Sequence, residues 1–196
     1  RNESTAMDII NYLQQQFTNL NGLFHALADD LTEAEWDTRP APGQNRIGYL
    51  VWHLPRTQDH FLHTWIRAQS EIAHRERWAG WHALKPLGIG IGITLAESDE
   101  ITRLVRCADA MAYADEVHEA ILAWLAGIRE ADLDKVPDAR QCLMAFPEYQ
   151  TPGYLAEVGD IFDLPVWNLL MKPCMGHAHR HLGELEILKD IVRKAR

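Results

Sequence analysis

The chain has 196 residues, of which 47% are hydrophobic and 24% charged, and its formal net charge is −9. This composition is ordinary for a globular domain and argues against disorder. The acidic balance argues against nucleic acid as a main partner, because a phosphate-binding surface needs a basic excess. No run of about 18 uncharged apolar residues occurs, so no membrane-spanning segment is expected.

The first predicted helix extends from about Ser4 to Leu31. Thr32 is followed three residues later by Glu35, a capping-box pattern that predicts a short helical turn. The segment TRPAPGQN, with two prolines and a glycine, is then predicted to be a loop. The helix prediction rests on apolar residues that recur at alternating intervals of three and four: Ile10, Leu13, Phe17, Leu20, Phe24, Leu27 and Leu31.

The second predicted helix begins near NRIGYLVWHL, with Asn45 as its candidate N-cap. It is expected to extend to Ser70 or Ala73. Pro55 lies inside it, lacks an N–H group and clashes with the preceding turn, so a bend is expected there.

A long connection with little periodicity follows, from Glu71 to Glu97. Connections of this length are usually functional or cross the length of a fold. Its PLGIGIGIT stretch does not match GxGxxG, because Ile93 replaces the last glycine, and no GK[ST] follows. The stretch is therefore predicted to be a flexible apolar loop.

The third and the last helix complete the predicted set. Ser98 is a plausible cap for the third, and Pro173 is expected to kink or start the last, VWNLLMKPCMGHAHRHLGELEILKDIVRK. No strand, repeat or interdomain linker is visible. We therefore predict an all-α chain with one domain over residues 1–196, built as a four-helix bundle. The stripe of the third helix is Ile101, Leu104, Ala108, Met111, His118, Leu122 and Leu125.

Three histidines occupy alternate positions in GHAHRHLGELEIL near the C-terminus. Because residues four apart share a helix face, His177 and His181 point the same way, whereas His179 points almost oppositely. Glu184 falls on the face of the first two. An HxxxH pair on a helix offers two imidazoles to one transition-metal ion, but the pattern is also common among surface histidines, so a third ligand is needed.

The second helix supplies the candidate third ligand. His53 follows an apolar run and is expected to face inward, either as a metal ligand or as a core histidine bonded to a backbone carbonyl. His60 shares that face about 10 Å further along the axis and is expected to line the same cavity without reaching the ion. His63 is turned further away. The remaining histidines have no partner at ligand spacing: His25, His74, His82 and His118.

The cysteine pattern favours a reducing compartment. Cys107, Cys142 and Cys174 lie far apart and form no CxxC motif, which excludes a zinc ribbon or a thioredoxin-like motif. An odd number of cysteines without a framework fits the cytoplasm. The first residues, RNESTAMD, also lack the apolar stretch of a signal peptide, so a cytoplasmic location is expected.

The histidine set and its surroundings resemble the DinB/YfiT-like superfamily over most of the chain. That superfamily pairs a histidine early in helix two with H-x-x-x-H-x-G on the final helix, here His53, His177, His181 and Gly183. Two departures are visible: Glu184 stands where glutamine is common, and the region 141–172 is longer than a minimal member needs. The lead-in to helix two is carried by Arg39, Pro40, Pro42, Gly43, Asn45, Ile47 and Gly48.

The resemblance implies a four-helix bundle with up-down-down-up topology, in which the long crossover joins helices two and three. It also implies a divalent metal held by three histidines, and frequent homodimers. Several characterised members are metal-dependent thiol transferases that use bacillithiol or mycothiol. Others include maleylpyruvate isomerase and the N-terminal domain of ergothioneine-forming sulfoxide synthases.

We therefore predict that His53, His177 and His181 bind a divalent transition metal ion, with zinc and nickel as the first candidates. Three protein ligands leave an open position that activates a low-molecular-weight thiol toward an electrophilic substrate. Glu184 and His60 are the candidate catalytic residues, by proton transfer or by orienting a ligand. Two alternatives stay open: a metal-dependent hydrolase, and a non-catalytic, stress-associated metal-binding dimer.

Overall fold

The computed structural model describes residues 8–194, and within that range the chain is all-α, which confirms the predicted class. Two π-helical turns lie at Phe61–Ile66 and Leu170–Gly176. No described helix combines the length and the apolar character that crossing a bilayer requires. The α-helices are α1 (Ile9–Ala28), α2 (Glu33–Trp36), α3 (Ile47–His60), α4 (Leu95–Leu104), α5 (Cys107–Gly127), α6 (Ala139–Leu143), α7 (Pro152–Val158), α8 (Val166–Leu169) and α9 (His177–Lys194). The 3₁₀ segments are Ile72–His74, Glu76–Leu87, Glu130–Asp132, Pro147–Tyr149 and Gly159–Ile161.

The long helix α1 packs against both α5 and α9. It runs antiparallel to α5, because Gln14 donates to the carbonyl of Leu122 whereas Asn21, further along α1, donates to Asp115. It runs parallel to α9, since Lys189 donates to the carbonyl of Leu27 one turn before the Asp30–Arg193 ion pair.

The helix α3 packs against α5 and α9 in turn, so the four long helices enclose one core. It runs antiparallel to the last helical segment, because His53 contacts His177 while Gln58 donates to the earlier carbonyl of Cys174. Nearly all of α3 is buried, from Ile47 to His60. This position places α3 side chains against α5, α9 and the crossover loop.

The ends of α1 and α3 differ from the sequence-based bounds. The predicted start at Ser4 lies outside the described residues, and in the structure Asp8 caps α1 by accepting from the amide of Ile10. The N-cap of α3 is Arg46 rather than Asn45. The prediction that this helix reaches Ser70 or Ala73 is wrong, because Ala68 adopts a left-handed φ of 53° that ends the helical run.

The predicted third helix is two helices in the structure. Val105 is extended (φ −98°, ψ 125°) and separates α4 from α5. Ser98 is not a cap, because it lies buried inside α4. The cap is Thr94, which forms a capping box with Glu97, as Thr32 and Glu35 do before α2 in agreement with the sequence. The last helical region is likewise divided, by the π-helical turn that contains Pro173.

Two glycines in helices offer a matched stability test. A Cβ on Gly48 would lie 2.6 Å from Cδ2 of Trp36, whose indole is fixed by a 3.1 Å bond to the carbonyl of Thr102. We expect Gly48→Ala to lower the free energy of unfolding by about 1–3 kcal/mol through overpacking. Gly22→Ala in α1, where nothing lies within 4 Å of the added Cβ, should raise it by about 0.5–1 kcal/mol. Urea denaturation of both variants measures the difference, and equal effects would contradict the packing argument.

Candidate metal centre

Three histidine side chains from α3 and α9 converge on one point. The Nε2 atom of His177 lies 3.2 Å from Nε2 of His53 and 3.1 Å from Nε2 of His181. The three ring pairs are close to perpendicular, with centroids 4.5–5.4 Å apart. Within the described residues, this is the one group of three or more histidine, cysteine or acidic side chains whose ligand atoms lie within 4.8 Å of one another. We call these residues the histidine triad.

The opposite ring nitrogens of two triad members are occupied by acceptors. Nδ1 of His53 donates to the carbonyl of Ile89 at 2.6 Å, and Nδ1 of His181 faces a carboxylate oxygen of Glu184 at 2.7 Å. A carbonyl or carboxylate at Nδ1 holds the proton there and leaves Nε2 with its lone pair. The Nδ1 atom of His177 is buried and has no hydrogen-bond partner in the described part of the chain.

The protonation state of His53 and His177 suits a metal. Burial, reinforced by His181, lowers the pKa of His53 to about 4. Burial and the adjacent His53 and His181 lower the pKa of His177 to about 2. Neutral imidazoles are the form that coordinates metals, whereas three converging lone pairs without a cation repel one another. The donor set therefore fits a divalent transition metal.

Local structure explains how the triad forms. His177 is the first residue of α9, directly after the π-helical turn, and His181 follows one turn later on the same face. The ring of Tyr49 stacks on His53, with centroids 5.5 Å apart and 10° between planes. His179 is exposed, which confirms that the middle histidine of the tract points away.

His60 does not share the surroundings of the triad. Its Nδ1 lies 2.7 Å from Glu71 and its Nε2 lies 2.6 Å from the hydroxyl of Tyr154, and none of its polar or ring partners belongs to the triad. Its side chain is fully buried. The structure does not bring His60 to the triad, because both of its ring nitrogens are engaged by Glu71 and Tyr154 further along α3.

The structure reveals a buried charged cluster that sequence reasoning missed. Arg56 is 3% exposed and donates to Glu71 at 2.7 Å and to Asp59 at 3.2 Å, and both carboxylates are fully buried. The hydroxyls of Tyr113 and Tyr149 also contact this guanidinium. The signal in the sequence was the run of charged and imidazole side chains in HLPRTQDHFLH, which directly follows the apolar stretch IGYLVW.

The other histidines lie apart from the triad. His63 contacts Asp59 at 2.7 Å, and His74 lies 3.8 Å from Glu71. His25 contacts Asp115 at 2.8 Å. The remaining two are His82, which is exposed, and His118, which lines a cavity between the long helices.

A family model for the DinB superfamily matches residues 16–159. The chain belongs to the DinB superfamily. The resemblance seen in the sequence is thereby confirmed. Members of that superfamily are generally metal-binding. The matched range includes His53 but ends before His177 and His181. The placement of these two histidines beside His53 therefore rests on the structure and not on the family match. No curated protein matches the chain.

Proposed function

We propose that this DinB superfamily member is a metal-dependent enzyme of the thiol S-transferase type, in which His53, His177 and His181 bind a divalent metal ion. The observation that carries the proposal is the convergence of three imidazoles: Nε2 of His177 lies 3.2 Å from that of His53 and 3.1 Å from that of His181, and the other two histidines are backed by acceptors at Nδ1. Three protein ligands are typical of catalytic rather than structural zinc sites.

When bound by the triad, a divalent metal ion would supply a Lewis acid that lowers the pKa of a thiol. The overall reaction joins the sulfur of the thiol to an electrophilic carbon, and releases the leaving group of the substrate and the thiol proton. Glu184 acts on His181 from the side of the ring that faces away from the triad. It is therefore a positioning residue in this proposal, and His60 is a core residue.

Access to the triad favours catalysis over a sealed structural site. The side chain of His181 is 17% exposed and that of Glu184 is 45% exposed, so one edge of the triad lies at the protein surface. A small thiol and an electrophile can approach along this edge. A non-catalytic site that serves only stability has no need of such an opening.

Further parts of the proposal rest on the family and on residue chemistry. The pair directions of α1, α3, α5 and α9 support an up-down-down-up four-helix bundle. Imidazole ligands favour zinc or nickel over harder cations. A homodimer, the cytoplasmic location and a single domain over the whole chain stay predictions, and Ile187 and Ile191, which are 62% and 50% exposed on α9, are candidate dimer contacts.

The test starts from the full chain, stripped with a chelator and reloaded separately with Zn²⁺ or Ni²⁺. We expect one metal equivalent by elemental analysis. An aromatic halide is then offered with glutathione, bacillithiol or mycothiol, and conjugate formation should require both the metal and a thiol. Turnover of ester substrates without thiol would instead indicate a hydrolase. Full metal loading with neither activity would favour the non-catalytic dimer, and less than one equivalent would refute the metal centre.

A further inference from the structure

The crossover loop at residues 88–92, named here the glycine loop, bonds to α3 beside the metal centre. The carbonyl of Ile89 accepts from Nδ1 of His53 at 2.6 Å, and the next carbonyl, that of Gly90, accepts from the hydroxyl of Tyr49 at 2.7 Å. The Tyr49 ring in turn stacks on His53. The loop and α3 therefore clamp one metal-binding histidine from two sides.

The start of the glycine loop is anchored in the buried charged cluster. Arg56 donates to the carbonyl of Gly88 at 3.3 Å while it is held by Glu71 at 2.7 Å. Tyr49, His53 and Arg56 follow at intervals of four and three, which places them on one face of α3. Three successive loop carbonyls thus meet three side chains of the same helix face, which fixes the register of the loop.

Only glycine permits this approach. Gly88 and Gly90 have φ values of 57° and 89°, in the region that favours glycine, and they flank Ile89, whose side chain is 1% exposed. A Cβ on Gly90 would lie 2.5 Å from the hydroxyl oxygen of Tyr49, and one on Gly88 would lie 2.7 Å from the ring of Tyr149. The alternation of glycine and isoleucine therefore buries Ile89 while it turns the carbonyl toward α3.

We propose that the glycine loop is a positioning element of the metal centre, an inference that rests on the proposed function. By presenting the carbonyl of Ile89, the loop keeps the proton of His53 on Nδ1 and reserves Nε2 for the metal. Without this acceptor the proton can occupy Nε2, which blocks coordination. The loop thus acts on the affinity of the metal site, beyond joining two helices.

The test compares Gly90→Ala with Gly43→Ala. Both glycines have a positive φ, but a Cβ on Gly43 meets nothing within 4 Å, so this control carries the backbone strain without displacing Tyr49. Nitrogen-15 NMR of the metal-free proteins identifies the tautomer of His53, assigned by its loss in His53→Gln. We expect Nδ1–H in the wild type and in Gly43→Ala, and a shift toward Nε2–H in Gly90→Ala. In competition with a chromophoric chelator, Gly90→Ala should bind Zn²⁺ about tenfold more weakly than the wild type, whereas Gly43→Ala should bind it as tightly as the wild type.

A milder variant keeps the test decisive if Gly90→Ala does not fold. Tyr49→Phe retains the stacked ring and removes only the hydroxyl that holds the carbonyl of Gly90, so a smaller change of the same kind is expected in both measurements. A folded Gly90→Ala or Tyr49→Phe protein with the wild-type tautomer and wild-type Zn²⁺ affinity would overturn the proposal. Failure of the wild type to bind Zn²⁺ would refute the metal centre instead, and the tautomer comparison would still decide whether the loop controls His53.

Discussion

His181→Ala is expected to weaken metal binding on the order of a hundredfold or more, because it removes one of three ligands. Structural zinc sites, which have four protein ligands, bind with about 10–16 kcal/mol in total, so each ligand accounts for roughly 3 kcal/mol. A loss of about 1.4 kcal/mol corresponds to a factor of ten in affinity. His179→Ala is the matched control, since it changes the same residue type in the same helix at an exposed position two residues away. Competition titration against a chelator measures both affinities.

Thermal unfolding adds an independent readout for the same pair of variants. A metal that binds only the folded protein raises its stability, so Zn²⁺ should raise the Tm of the wild type and of His179→Ala, but not that of His181→Ala. In the metal-free state His181→Ala should unfold no earlier than the wild type, because it removes one of the three converging lone pairs. Equal Zn²⁺ affinities for His179→Ala and His181→Ala would contradict the assignment of the triad.

The histidine triad was predictable because local rules decide where its side chains point. The helical period alone separates His177 and His181 from His179, and the exposure of His179 in the structure agrees. The apolar run before His53 indicates a buried face without any knowledge of the fold. The family pattern then joined the two halves, which spacing cannot do for residues more than a hundred positions apart.

The helix division after α4 shows where such local rules compete. Thr94 and Glu97 form a capping-box pattern as clear as that of Thr32 and Glu35, yet the apolar stripe from Ile101 onward favoured one continuous helix. Periodicity does not register a single extended residue such as Val105, and of the predicted stripe within α5 only Leu125 is buried. The buried face of α5 consists of Ala110, Tyr113, Ala114, Val117, Ile121 and Leu125. The sequence therefore predicted the helical content better than the number of helices.

The polar surroundings of α3 were not predictable, because their partners come from distant segments. Glu71 lies in the crossover, Tyr113 in α5 and Tyr149 in a 3₁₀ turn near the C-terminal part, yet all three meet Arg56. The same holds for the carbonyl of Ile89 at His53. Contacts of this kind depend on how loops return to a helix, which neither periodicity nor composition encodes.

Arg56→Met is expected to lower the free energy of unfolding by about 3–5 kcal/mol, because it leaves two buried carboxylates without their cation. Asp59 would keep its contacts with the amides of Ile72 and Ala73, with His63 and with the hydroxyl of Tyr113. Glu71 would keep its contacts with His60, Thr64 and Tyr149. Methionine approximates the apolar length of arginine, so the lost charge dominates over a cavity. Arg46→Met is the matched control: its ion pairs with Asp37 and Asp99 are partly exposed, and it should cost less than about 1 kcal/mol.

The cost of Arg56→Met should also depend on pH. Burial by itself raises the pKa of Glu71, but Arg56 and His60 more than offset it, so in the wild type this pKa lies well below its ordinary value. A depressed pKa stabilises the protein above the ordinary carboxyl pKa, and that contribution disappears as the pH falls. Without Arg56, burial dominates and the folded variant takes up a proton more readily than the unfolded chain. The stability difference from the wild type should therefore be larger at pH 7 than at pH 5, as measured by urea denaturation. A cost equal to that of Arg46→Met, or one independent of pH, would show that the ion pairs of Arg56 do not balance these buried carboxylates.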